Sequence, residues 1–399
     1  MIQYTIKEVV GKELEKLFLK MPLPIYKNDP AWIQPLDNDI EEVFDPKRNK
    51  RFRKGKISRW LAFDSNGIAV GRIAAFVDPV TFKVGEPPVG GIGFFECIND
   101  QKAANILLDT AKDWLVANGM EGMDGPINFG DRDRWWGCLK EGFLEPTYCM
   151  NYNPAYYNDL LEGYGFKNYF DQYTYTRPVS WEGLADALNE RGIRLEQNSS
   201  YVFKHIDLKN MDKLAEEFNI VFNKTWGKFV GAGDMSLANT KALIKTLKPI
   251  LDPKLLYFAY HEGKPIGFFV MIPDLNQITR KLHGRFDWWG KLKFIFYLKV
   301  LKIAKRSVGI IFGVDPEYQG KGVDAGMIRA FARVATEKNF HYNQLEFNWV
   351  GDFNPVMMRL MTQIGCTVLK KHVTYRMWFD PSRPFERCPK FGRVKKKAE

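Results

Sequence analysis

Cysteine is scarce in this chain and follows no pattern. The five in 399 residues (Cys97, Cys138, Cys149, Cys366 and Cys388) are odd in number and never form a C-x-x-C pair, which excludes a disulfide framework or a zinc module and points to a reducing compartment. Histidine is equally sparse, and no two of the five have metal-ligand spacing, so no metal is expected. The first ten residues have no apolar core and carry Lys7 and Glu8, so they do not read as a secretory signal, and the chain is expected in the cytoplasm. Also missing are C2H2 spacing, an RNP-type aromatic strand and a helix-turn-helix pattern, which sets nucleic acid aside as a partner.

What is present is apolar mass and positive charge. Hydrophobic residues make up 45% and aromatic residues 15%, enough for two cores in a chain too long for one. The net charge of +11 draws the molecule toward something anionic, and with nucleic acid set aside that leaves a bilayer surface or a phosphorylated co-substrate.

Periodicity divides the chain into two similar series. Residues 4–9 alternate like a strand, and 12–20 have helical spacing that stops before Pro22 and Pro24. Apolar runs at 60–63 and 68–76, joined by Asp64-Ser65-Asn66-Gly67, read as a hairpin. Strand, helix and strand follow at 92–97, 102–118 and 123–129, then a helix opened by Asn153-Pro154 and a strand at 172–176. The second series has a strand at 201–208, helices at 211–226 and 240–251, and a hairpin of 255–260 with 265–272. It goes on through a strand at 307–314, a helix at 326–338, a strand at 344–350, a helix at 354–365, and one or two strands in 367–379. The repeated order predicts two tandem α/β (α+β) units, each a mixed, mostly antiparallel sheet flanked by helices. Residues 1–180 and 181–381 would form the units, and 382–399 a basic tail.

The most informative stretch is Val314-Asp315-Pro316-Glu317-Tyr318-Gln319-Gly320-Lys321-Gly322-Val323-Asp324-Ala325, between a strand and a helix. A glycine-bearing loop that opens a helix offers a phosphate several free N–H groups and the positive end of the helix dipole. Gly320 and Gly322 permit close approach of backbone, and Lys321 adds a cation; a bare G-x-G would be no more than a polar turn.

The flanking residues extend the pattern. The stretch resembles the acyl-CoA loop of the GNAT acyltransferase superfamily, V-x-P-x-[YF]-[QR]-x-x-G-x-[GA], through Val314, Pro316, Tyr318, Gln319 and Gly322. A second signature of that family appears as Asn354 with Gly365, although Cys366 stands where the family has an aromatic residue. The resemblance covers residues 201–379. It implies acetyl-CoA or acyl-CoA as co-substrate, or an acyl-carrier protein as the alternative donor. The pantetheine arm would pair along 310–314, with contacts from Phe312, Gly313 and Val314, and the phosphates would lie on Gln319, Gly320, Lys321, Gly322, Val323, Asp324 and Ala325.

Two departures stand out: Asp324 replaces the last Gly or Ala, and Met361 stands where the family often has the tyrosine that protonates the leaving thiolate. The first series runs Ile98-Asn99-Asp100-Gln101-Lys102 at the corresponding place and has no glycine loop, so it is expected not to bind acyl-CoA. Its order is similar to tandem GNAT proteins that keep one silent copy. The run Pro24-Ile25-Tyr26-Lys27-Asn28-Asp29-Pro30-x-Trp32 is similar to the opening of bacterial double-GNAT proteins, some assigned to ceramide synthesis by N-acylation.

Amine acylation needs a proton acceptor for the ammonium and a proton donor for the thiolate. The resemblance puts strand 344–350 beside the cleft, with Glu346 and Asn348 on one face. Glu346 is the expected general base, the alternative being a salt-bridged strand glutamate. Tyr375 is the candidate donor, or a core aromatic. Asn354 is a catalytic candidate that also reads as a helix cap. The charged and aromatic loop 131–136 either lines the acceptor site or lies on the surface.

Residues 286–306 exceed what a minimal unit requires. Drawn as a helix, Lys291, Lys299, Lys302, Lys305 and Arg306 fall on one side, with Leu292, Phe296, Tyr297, Val300, Leu301 and Ile303 over much of the other and Trp288 and Trp289 at the start. This fits a helix lying in an anionic membrane interface, or one packed on its own domain; the cations argue against a spanning segment. The expected function is an N-acyltransferase acting on an amine, with a long-chain lipid amine the attractive acceptor, at the inner face of a membrane. The alternative is a non-catalytic protein that binds acyl-CoA or docks on a surface.

Overall fold

In the computed structural model, residues 3–82, 85–227 and 234–390 are described. The first half runs Thr5–Glu8 (β1), Lys12–Lys20 (α1), Pro22–Ile25 (α2), Asp37–Phe44 (α3), Lys56–Phe63 (β2), Ala69–Val77 (β3), Val89–Cys97 (β4), Gln101–Ala117 (α4), Gly122–Gly125 (β5), Cys138–Glu141 (β6), Tyr156–Tyr164 (α5) and Lys167–Pro178 (β7). The second runs Asp186–Glu196 (α6), Tyr201–His205 (β8), Met211–Thr225 (α7), Leu237–Leu247 (α8), Leu256–His261 (β9), Lys264–Pro273 (β10), Asn276–Thr279 (α9) and Trp288–Ile295 (α10). A π turn, Phe296–Val300, follows, then Arg306–Val314 (β11), Val323–Ala335 (α11), Gln344–Gly351 (β12), Pro355–Gln363 (α12) and Thr367–Trp378 (β13).

Local chemistry sets most of these boundaries. Asp64 accepts from the Asn66 and Ile68 amides at 2.9 and 2.8 Å, which turns β2 into β3 as the Asn-Gly signal predicts. The strand expected at 123–129 stops at Gly125, because Pro126 has no N–H to give a ladder. Helix α6 lies in the connection between the halves, where no element was expected, and α3 and β6 were also not foreseen.

All the strands of the described residues belong to one sheet, in the order β1-β2-β3-β4-β5-β13-β7-β12-β11-β10-β9-β8, with β6 attached to β13. Neighbours are antiparallel except for two parallel pairs, β4 with β5 and β11 with β12. Read inward from either end, five strands of one half are followed by the last strand of the other. β13 pairs with β5, β7 pairs with β12, and β7 and β13 pair with each other at the centre. Helices cover both faces. Leu107, Leu108, Leu115 and Leu161 of α4 and α5 bury one face of the first half, and Phe18, Leu19, Ile40 and Val43 of α1 and α3 bury the other. In the second half α7, α8 and α11 close over β9 to β11, with Leu214, Ile244 and Met327 in the core.

The insertion is a helix anchored on one side. Phe294 and Leu298 pack with Leu36, Leu275 and Leu282, tying it to both halves, while Trp288 and Trp289 stand out in solvent.

At the centre of the sheet His372 of β13 is 1% exposed and donates from Nε2 to the Asn151 carbonyl at 2.9 Å. Burial pushes its imidazole down to about 4, and Lys370 pushes the same way. Its folded value lies below its unfolded value near 6.5, so the unfolded chain takes up a proton that the folded one refuses. Stability is then complete above pH 6.5 and falls as pH drops toward 4. From pH 7 to pH 5 the loss from this residue is expected to be on the order of 2 kcal/mol. His372→Gln keeps a donor for Asn151 and has no proton to gain, so urea unfolding at the two pH values should show a flatter acid limb in that variant.

Candidate active site

The site begins where two parallel strands part. β11 and β12 pair only from Arg306 with Gln344 to Gly309 with Phe347, after which β11 continues beside β10 alone as far as Val314. Gly309 is needed at the fork, since a Cβ there would stand 2.8 Å from the Phe347 ring. Beyond the fork Ile310 is bulged out of the β10 register and 47% exposed. The edge of β11 facing β12 is therefore unpaired over residues 310–314, open to an extended ligand as an added strand would be.

The open edge leads into the glycine loop. Asp315 caps the turn Pro316–Tyr318 by accepting from the Glu317 amide at 3.1 Å and is held by Lys224 at 2.6 Å. Gln319 donates from Nε2 to the Val314 carbonyl at 3.0 Å, closing the loop. Gly322, at φ +89°, then opens α11, and no side chain caps the helix. Its first amides are left for an anion. Lys321 is exposed beside them over the Tyr318 ring, Val323 and Ala325 are buried beneath, and Asp324 lies in the first turn. From α6, Arg191 stands against Gly322: a Cβ on that glycine would meet the Arg191 Cβ at 3.5 Å. Arg191 bonds Gln363 at 3.2 Å and keeps a buried Nε without a partner.

The corresponding place in the first half has been closed. β4 and β5 also pair briefly, from Val89 with Gly122 to Gly91 with Asp124, and then part. Yet Asp100 caps α4 by accepting from the Lys102 and Ala103 amides at 2.7 and 3.2 Å, so the amides a phosphate would need are taken. The fork instead holds a cavity of about 60 Å³ lined by Trp32, Phe94, Glu96, Trp135, Asn151 and Tyr157, among others. Inside it Glu96 accepts from Tyr26 at 2.8 Å and Tyr157 at 2.9 Å and pairs with Arg72 at 3.3 Å. Burial raises the Glu96 carboxyl, against the pull of Arg72. Phe94, Trp135 and Cys149, at φ +50°, +44° and +59°, carry left-handed backbone beside this cavity or the small one next to it.

The sequence candidates separate. Glu346 is fully buried between Arg306 at 3.0 Å and Lys370 at 3.1 Å, and Arg306 also holds Asp274 at 2.5 Å. Arg306 stands against Oε1 and Lys370 against Oε2, an ion-paired setting that favours the salt-bridged alternative. Asn348, just beyond the fork on the same strand, donates to Thr147 Oγ1 and has a buried Oδ1 without a partner. Tyr375 is carried by the strand exchange into the core of the first half, where its hydroxyl meets Glu162 at 2.7 Å and Asn158 at 2.9 Å. That position takes it away from the β11–β12 fork. Asn354 caps α12 by accepting from the Met357 amide at 3.3 Å, and Met361 is buried in the core under α12. In loop 131–136 the first three residues are exposed, whereas Trp135 and Trp136 are buried and Trp135 lines the cavity.

Sequence reasoning missed Arg191, Asp274 and the Arg72–Glu96 pair. The signal for the last was a charged residue inside each of two otherwise apolar strands, β3 and β4.

No family model matches the chain. Solved structures do. A tandem GNAT protein from the clavulanic acid biosynthesis pathway aligns with a TM-score of 0.52 at 8% identity, covering 96% of this chain and 100% of that one. The GCN5-related glucosamine N-acetyltransferase region of a fungal multi-domain GH3 β-N-acetylglucosaminidase aligns with a TM-score of 0.56 at 12% identity, over 94% of this chain and 38% of that longer one. The protein thus has the tandem GNAT fold. In sequence it is similar to the bacterial ceramide synthase of Caulobacter vibrioides, 27% identical over 369 residues, which span 91% of this chain and 94% of the relative. It is also similar to protein YghO of Escherichia coli, 25% identical over 387 residues, 94% of this chain and 96% of that protein.

Glu346→Gln tests the ion-paired reading. Removing one partner of a buried pair leaves Lys370 and Arg306 undercompensated, so stability should fall by about 3 kcal/mol while the pH–rate profile keeps its shape. Denaturant unfolding beside the pH profile checks this. A collapsed rate at unchanged stability would return the proton-acceptor role to Glu346.

Proposed function

We propose that this protein is an N-acyltransferase: the second half binds an acyl thioester at the β11–β12 fork and passes the acyl group to an amine. The observation that carries the proposal is the continuity of the unpaired β11 edge with the uncapped start of α11, which suits a pantetheine arm ending in phosphate. The tandem GNAT fold and the likeness to a bacterial ceramide synthase support it. In the reaction the neutral amine attacks the thioester carbonyl, a C–N bond forms, the C–S bond breaks, the nitrogen gives up one proton and the leaving thiolate takes one up, so that the products are an amide and a free thiol. Asn348, with its free Oδ1 beyond the fork, is the polar group of β12 best placed to orient the acceptor. Acyl-CoA is the proposed donor, since Lys321 and Arg191 supply two cations beside the loop.

A rival reading is a protein that binds the thioester without turning it over. The ion-paired Glu346 and the buried Met361 favour it. Release of free thiol from acyl-CoA over a panel of amines, long-chain ones included, separates the two: thiol release that depends on the amine establishes transfer, and its absence over the whole panel favours the rival.

Two binding measurements test the site itself. Gly322→Glu adds a side chain at a left-handed position and a carboxylate at the helix start, so calorimetry should find coenzyme A binding abolished. Asp324→Asn removes a negative charge from the same turn and should tighten binding on the order of fivefold. Undiminished binding in the Gly322 variant would overturn the assignment of this loop.

A further inference from the structure

Helix α10 turns its apolar side the wrong way for a helix that only covers its own domain. Phe294 and Leu298 are buried, but Trp288 and Trp289 are each 65% exposed, Phe296 is 48% exposed and Val300 65%. The π turn extends this face. The Leu301 amide donates to the Phe296 carbonyl at 3.0 Å, an i to i+5 closure. The wider turn keeps Val300 and Leu301 near the line of Phe296, where α-helical spacing would carry Leu301 about 140° away. Around the face stand Arg285, Lys291, Lys293, Lys299, Lys302 and Lys305, all exposed. Asp287 is the one acidic residue between 285 and 305, and it is engaged in capping the Gly290 amide at 2.8 Å.

We infer that this face docks in the headgroup layer of an anionic phospholipid bilayer. Charge selects the bilayer over a second copy of the chain, because a two-fold pairing through α10 would set six cations against six. No described helix is long and apolar enough to cross a membrane, and a short amphipathic helix with a basic border lies in the interface plane, with tryptophan at the headgroup level. The buried side of the same helix, opposite the docked face, reaches the small cavity. Leu36 packs with Phe294 and Leu298 and lines the small cavity shared by Tyr148 and Asn276, next to the Thr147 that bonds Asn348. An amine embedded in the bilayer would enter from this side; that last step rests on the acyltransferase reading, and docking does not.

The test uses the full chain and co-sedimentation with vesicles of phosphatidylcholine, alone or mixed with phosphatidylglycerol. Binding is expected to the mixed vesicles and to be released by salt. Combining Trp288→Ser, Trp289→Ser and Phe296→Ser should abolish it with the thermal midpoint unchanged, since these side chains are exposed. Replacing Lys291, Lys293 and Lys299 by Gln should weaken it on the order of a hundredfold. Residues 391–399, four of them basic, lie outside the described residues. Binding that survives the triple Ser variant and disappears when 391–399 are removed would overturn the inference, as would self-association that the triple Ser variant abolishes in a protein that ignores vesicles. Turnover with a water-soluble amine keeps the two readings apart: if vesicle binding fails while that turnover persists, docking falls and acyl transfer stands.

Discussion

The ladder in which β13 runs antiparallel to β7, from Thr367 beside Thr176 to Arg376 beside Lys167, holds the two halves in one sheet and fixes where each of their clefts can be. Between the fork at β4–β5 and the fork at β11–β12 lie three strand intervals, β5 to β13 to β7 to β12, which puts them about 14 Å apart. Segments 126–136 and 145–153 run across this span. Thr147 reaches Asn348 at one end, and Asn151 lines the cavity of the first half at the other. The surface between the forks is built from groups of both halves. Neither half could supply the surface alone.

Within this near-symmetric frame the two halves differ in how a helix begins. Asp100 fills the anion position at α4 with its own carboxylate, whereas Gly322 leaves it open at α11. The difference is electrostatic before it is steric, because a capping carboxylate both uses the free amides and repels a phosphate. The fork whose helix start is capped holds instead the Arg72–Glu96 pair with its two tyrosines. Buried charge of that kind lasts only where its partners are fixed on rigid elements, and β3, β4 and α5 provide them.

Much of this was legible in the sequence, for local reasons. Asp64 to Gly67 made the hairpin, Asn354 made a cap, and the residues from Val314 to Gly322 made a glycine loop between a strand and an uncapped helix, the setting observed. Glu346 and Tyr375 show where local reading stops. Each was judged by its own strand, but the surroundings of Glu346 come from Arg306 and Lys370, and those of Tyr375 from Asn158 and Glu162 of the first half. Strand exchange leaves no trace in periodicity, since β7 and β13 have the same alternation whichever neighbour they pair with. Arg191 was hidden for a related reason: its helix lies in a connection, and its closeness to Gly322 depends on packing between α6 and α11.

Strand exchange also has a consequence on the ribosome. β5 ends at Gly125, and the strand that covers its open side ends at Trp378, so 378 − 125 = 253 residues must follow before the first half can complete its sheet. At the usual pace of synthesis that is roughly 13 to 50 seconds with a bare strand edge. An edge left open so long is a template for pairing with another nascent chain. β5 limits the hazard by its brevity, four residues with a glycine at each end and a proline next in line.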